Sequence, residues 1–132
     1  MKIFKLNEFI NESYYQDLSP HTYTSYPKGC LNIGWLDGKS NYSKGHVSQE
    51  FIEKIKSIKM RIMHMGTHEC EICNNKSGNG VSYISGEDNK IYAFPQMIVH
   101  YIEDHNYKPP QEFIDAVMKF DNNNIPRFSG NR

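Results

Sequence analysis

The sequence predicts a small α+β fold, a single domain in which a zinc knuckle and a β-hairpin are pinned to two or three packed helices. Three observations lead there. Cys70-Glu71-Ile72-Cys73 sets two thiols two residues apart, a spacing that in an unexported protein points to metal or redox chemistry rather than to a structural disulfide. Strand-like alternation and helix-like periodicity both recur along the chain, and neither occupies it alone. The length, 132 residues, suits one core and leaves little room for a second.

The elements follow in order. Residues 2–6 alternate weakly and read as a short strand, and Asn11 to Cys30, rich in Tyr, Ser, Thr and Pro, reads as irregular. Leu31 to Leu36 resumes apolar alternation and ends at the turn dipeptide Asp37-Gly38. A helix then starts at the N-cap Ser48, with Val47 and Ile52 placed as a hydrophobic staple and Phe51, Ile52, Ile55 and Ile58 at helical spacing. The helix should stop before Gly66, and Met60 to Met65, which could extend it or begin a strand, reads as a strand. Asn74 to Gly80 supplies residues that tolerate positive φ and reads as a turn. Val81 to Ser85 and Lys90 to Phe94 flank Gly86-Glu87-Asp88-Asn89 as a β-hairpin. Pro95 suits the first turn of a helix on which Met97, Ile98, Tyr101 and Ile102 recur up to His105, and Pro109-Pro110 opens a last helix with the stripe Phe113, Ile114, Val117, Phe120. Residues 1–120 are thus expected to form the domain, with its motif-bearing part at 34–118, and 121–132 a flexible tail.

Composition narrows the function classes. Fifteen basic residues balance fifteen acidic ones, so no overall field draws the chain to nucleic acid or anionic lipid. Aromatic residues make up 13% of the chain, enough to build a core despite a low aliphatic content. No apolar run approaches the roughly 18 residues of a membrane span, and the segment from Met1 to Glu8 turns polar before a signal-peptide core develops. The expectation is a soluble, cytoplasmic protein.

Two thiols on a tight turn converge on one cation, and zinc then needs two further ligands for a closed tetrahedral site. His100 and His105 are separated by four residues on a helix that follows a hairpin, matching a Cys-x-x-Cys then His-x(3 to 5)-His pattern. Twenty-six residues lie between Cys73 and His100, so the likeness to a compact zinc finger is one of logic only. At about 100° per residue, the two imidazoles fall roughly 140° apart on an ideal helix. Both can bind only if the helix tightens or ends near His105. His68 competes for a ligand position from two residues before Cys70, and His64 does so more weakly. His21 and His46 read as solvated loop residues and Cys30 as a small buried apolar group.

Catalytic signatures are sparse. The His-x-Glu and Pro-Cys-x-x-Cys of a zinc deaminase are not met, since Glu69 directly follows His68 and no proline precedes Cys70. H-E-x-x-H, P-loop, G-x-S-x-G and G-x-G-x-x-G patterns do not occur. The predicted helix from Gln96 to His105 carries no Lys or Arg for phosphates or guanine. The expected function is a protein-interaction module with a structural Zn(2+), of immunity or adaptor type, whose partner is another protein. Two alternatives stand behind it: a metal-dependent hydrolase or nuclease with an open zinc position, and a zinc-finger-like nucleic-acid binder.

Gly34-Trp35-Leu36, His68-x-Cys70-Glu71-x-Cys73, Gly78-Asn79-Gly80, Tyr92-x-x-Pro95 and His100-Tyr101-Ile102-x-x-His105-x-Tyr107-x-Pro109-Pro110-x-x-Phe113-Ile114-x-Ala116-Val117 together resemble a family of short uncharacterised bacterial proteins. The likeness spans about residues 34–118. It implies a shared domain and a bacterial origin, and it draws His68, His100 and His105 alike into the pattern around Cys70 and Cys73.

Overall fold

Among the described residues, a four-stranded mixed sheet, in the order β1-β4-β3-β2, carries three short helices. The strands are β1 (Cys30–Asn32), β2 (Ile62–Glu69), β3 (Lys76–Ser85) and β4 (Ile91–Pro95). The helices are α1 (Gln49–Lys56), α2 (Ile98–His105) and α3 (Gln111–Met118). This computed structural model describes residues 16–20, 30–36 and 41–121. The expected strand at 2–6, most of the irregular stretch at 11–30, His21, the Asp37-Gly38 turn and the tail beyond Asp121 lie outside them.

The α+β class holds, and most elements form where their residues predict. Ser48 caps α1 by accepting the Phe51 amide at 3.1 Å, and Val47 and Ile52 pack at the margin of the core. Phe51 and Ile55 are buried on the inner face of α1, each such side chain contributing about 1.5–3 kcal/mol. The β3–β4 hairpin forms as expected, in the register Ser82 with Phe94 and Ile84 with Tyr92. Asp88 and Asn89 take left-handed backbone in its turn.

Several boundaries differ from expectation, among them β2, which starts at Ile62 rather than Met60 and runs through Gly66 to Glu69. The first strand stops at Asn32, because Gly34 has φ +79 and bends the chain away, while the Ile33 amide still reaches the Ala93 carbonyl at 2.9 Å. Pro95 ends β4 instead of opening α2. The β3–β4 ladder runs past it through the Gln96 amide to the Gly80 carbonyl at 2.8 Å, so by alternation Pro95 stands where no N–H is required. Lys76 to Gly80, expected as turn, belongs to β3. Its glycines serve close approach rather than positive φ: a Cβ on Gly78 would lie 2.6 Å from the Gln96 Oε1, and one on Gly80 would lie 2.7 Å from the Met60 Cγ and the Met63 Sδ.

Both faces of the sheet are covered. On one face Ile84, Tyr92 and Phe94 meet Phe51, Ile98, Tyr101 and Phe113 in the larger core, with Phe113 edge-on to Phe94 at 5.3 Å and to Tyr92 at 5.8 Å. On the other, Cys30, Trp35, Val81, Tyr83 and Ala93 form a smaller cluster. The Trp35 indole donates to the Ala93 carbonyl at 2.9 Å. The segment at residues 16–20 is tied in through Asp17, which accepts the Gly34 amide at 3.0 Å and the Tyr107 hydroxyl at 2.9 Å.

Two outcomes follow from this packing. At Gly34 a Cβ would sit 2.7 Å from the Ile98 Cδ1 and Cγ1 at a left-handed φ, so Gly34→Ala should lower unfolding free energy by about 2 kcal/mol or more, read by denaturant titration. Burial raises the Asp17 carboxyl above its ordinary 3.8, against the opposing pull of the Gly34 amide and the Tyr107 hydroxyl. The folded chain therefore holds this proton more tightly than the unfolded one, and the contribution, complete below 3.8, is lost as pH rises through the raised value. Asp17→Asn keeps an acceptor without the buried charge, and its thermal midpoint should fall less than that of the native chain between about pH 4 and neutrality.

Candidate metal centre

The Cys70–Cys73 turn closes the hairpin between β2 and β3, at the end where Glu69 registers with Lys76. The Cys70 amide donates to the Asn75 carbonyl and the Asn74 amide to the Cys70 carbonyl, each at 2.7 Å. Asn74, with φ 70, supplies the left-handed residue that closes the turn. The amides of Cys73 and Ile72 donate to the Cys70 sulfur. Cys70 is fully buried and Cys73 is exposed. Burial pushes the Cys70 thiol up, the two amides pull it down, and the neighbouring Cys73 sulfur raises it again.

The β3–β4 hairpin then brings α2 back over this turn. Ile98, Tyr101 and Ile102 anchor the helix in the core, which sets His100 and His105 toward the sulfurs. The helix ends at His105: Asn106 is left-handed, its amide reaches the Tyr101 carbonyl, and the Tyr107 amide reaches the same oxygen at 3.2 Å. The Tyr42 hydroxyl holds the His105 carbonyl at 2.9 Å. The condition read from the helical wheel is thereby met by termination, and the imidazole centroids stand 4.9 Å apart.

One ligand atom from each of Cys70, Cys73, His100 and His105 lies within 4.8 Å of the other three. The Cys73 sulfur is 3.2 Å from the His100 Nε2, the Cys70 sulfur 3.4 Å from the His105 Nε2, and the two Nε2 atoms 3.2 Å apart. Tetrahedral zinc with ordinary Zn–N and Zn–S bonds separates two imidazole nitrogens by about 3.3 Å and a sulfur from a nitrogen by about 3.6 Å. These three separations lie within a few tenths of an ångström of the matching edges of that tetrahedron, and the four atoms are a donor set that could hold such an ion. The His100 Nδ1 faces the Asp104 carboxylate at 3.1 Å. A proton shared on that side leaves the Nε2 lone pair directed at the sulfurs, a common outer support of a metal-bound imidazole.

The remaining candidates lie elsewhere. His68 is on β2 opposite Ser77 and outside this group; burial lowers its pKa, with the Glu71 carboxylate acting in opposition. His64 registers with Asn79 farther along the same strand. His46 is exposed in the loop before α1, as expected. Cys30 is buried, and that burial pushes its thiol up to about 12, in keeping with an apolar role. Asp104 was not foreseen, although its offset of four from His100 on a helix places the two side chains on one face.

A family model described as a domain of unknown function, DUF7919, matches residues 13–118. The chain belongs to that family. No curated protein and no solved structure matches it. The DUF7919 match takes in both cysteines, both clustered histidines and Asp104, so the whole centre lies within the family domain. If the group holds a metal ion, His100→Ala and His105→Ala should each abolish its stoichiometric binding, while His68→Ala leaves it intact, as measured by elemental analysis of the dialysed variants.

Proposed function

We propose that this DUF7919 chain is a cytoplasmic interaction module stabilised by a structural zinc ion and directed at a protein partner. The observation that carries the proposal is the convergence of four protein donors, two sulfurs and two imidazole nitrogens, within 4.8 Å. Thiolate and imidazole suit zinc. A complete set of four protein ligands is the signature of a structural site, whereas a catalytic zinc keeps one position for water or substrate. The hydrolase reading, which needs that open position, is correspondingly disfavoured. Bound zinc would tie the β2–β3 turn to the end of α2, and its binding energy would become folding energy.

The partner surface fits best along β2 and the knuckle. Met65 is 95% exposed, Met63 60% and Ile72 38%, a set of large apolar side chains on β2 and the knuckle. Methionines adapt their shape to varied apolar contacts. The α2 helix, with Glu103 and Asp104 and no basic residue besides its histidines, offers nothing to a phosphate backbone.

Native mass spectrometry on chain purified without added metal should show one zinc, and chelation should lower the thermal midpoint. A metal-free chain with unchanged stability would refute the structural-zinc reading. Met63→Asp with Met65→Asp should preserve zinc and fold while abolishing association with a cognate protein.

A further inference from the structure

The four clustered ligands differ in one respect that a purely structural zinc site does not require. Cys70 is fully buried, whereas Cys73 is exposed. An oxidant in solution therefore meets one thiolate of the pair first. The other waits within 4.8 Å, on a turn whose two-residue spacing is that of reversible dithiols.

We infer that the Cys70–Cys73 pair makes this an oxidant-releasable zinc site, in which peroxide closes a Cys70–Cys73 disulfide and frees the ion; the inference rests on the zinc-binding reading above. The Cys73 sulfur attacks one peroxide oxygen, the O–O bond breaks, and Cys73 becomes a sulfenic acid as hydroxide leaves and takes a proton. The Cys70 thiolate then attacks the Cys73 sulfur, forming the S–S bond and breaking the S–O bond, and the departing hydroxide takes a second proton. Each sulfur has lost one electron, peroxide has been reduced to two waters, and two of four zinc ligands are gone. His100 and His105 alone do not hold zinc in a closed tetrahedral site.

The remaining thiol cannot substitute for Cys70. Cys30 registers with Ile91, Ile91 with Ser85, and Ser85 stands nine residues along β3 from Lys76, a span of about 30 Å. Disulfide partners need Cα atoms closer than about 7 Å. Burial also keeps Cys30 protonated, so the oxidation is directed to one pair.

The test uses the full zinc-loaded chain, hydrogen peroxide, a chromophoric zinc chelator and peptide mapping. The expected result is one zinc released for each Cys70–Cys73 disulfide, with Cys30 still a thiol, and recovery of the bound ion after dithiothreitol and added zinc. Zinc still retained when the exposed Met65 has become its sulfoxide would overturn the inference while leaving the zinc reading standing. Release accompanied by sulfinic acid at Cys73, with no disulfide, would overturn it as well. A chain that never holds zinc would overturn both readings together.

Discussion

Everything in the candidate centre depends on where α2 ends. Four donor atoms from two elements that are far apart in sequence can share a neighbourhood of 4.8 Å only if both imidazoles, five residues apart, face the same turn. A continuing helix would point them to different sides. Asn106 in left-handed conformation stops the helix at His105, and Tyr42 holds the terminal carbonyl in place. The hydrophobic anchors Ile98, Tyr101 and Ile102 do the rest by fixing the helix on the sheet. The polar centre is thus positioned by apolar packing in which Cys70 itself takes part.

The sheet converts this local geometry into one unit. Its two middle strands, β3 and β4, bury side chains on both faces, and the β3–β4 hairpin returns α2 toward the start of β3, where the cysteines lie. Asp17 and Tyr107 link the segment at residues 16–20 to the loop after α2. The strand β1 adds in parallel to β4 through only three registered residues, with the Trp35 indole securing the chain beyond it.

Much of this was legible in the sequence because local chemistry and tertiary packing agree there. Ser48 announces α1, the spacing of Met97 to Ile102 announces α2, and Cys70, Cys73, His100 and His105 were nominated as ligands by type and spacing alone. Where the reading failed, a residue answers to a distant neighbour. Gly78 and Gly80 look like turn formers but make room for Gln96, Met60 and Met63. Pro95 looks like a helix starter, yet it occupies a ladder position that needs no donor. The choice between His68 and the helix histidines was likewise open, since only the return of the β3–β4 hairpin brings the helix pair to the sulfurs.

The ladder between β2 and β3 breaks between His64 and Thr67, where Met65 and Gly66, the latter at φ +85, stand outside the register. The β2 strand is the outer member of the described sheet, and an uninterrupted outer strand invites another chain to extend it. Here the break leaves no run of evenly spaced amides long enough for a foreign strand to zip along. The break guards this edge against open-ended extension of the sheet and leaves Met65 projecting from it, 95% exposed.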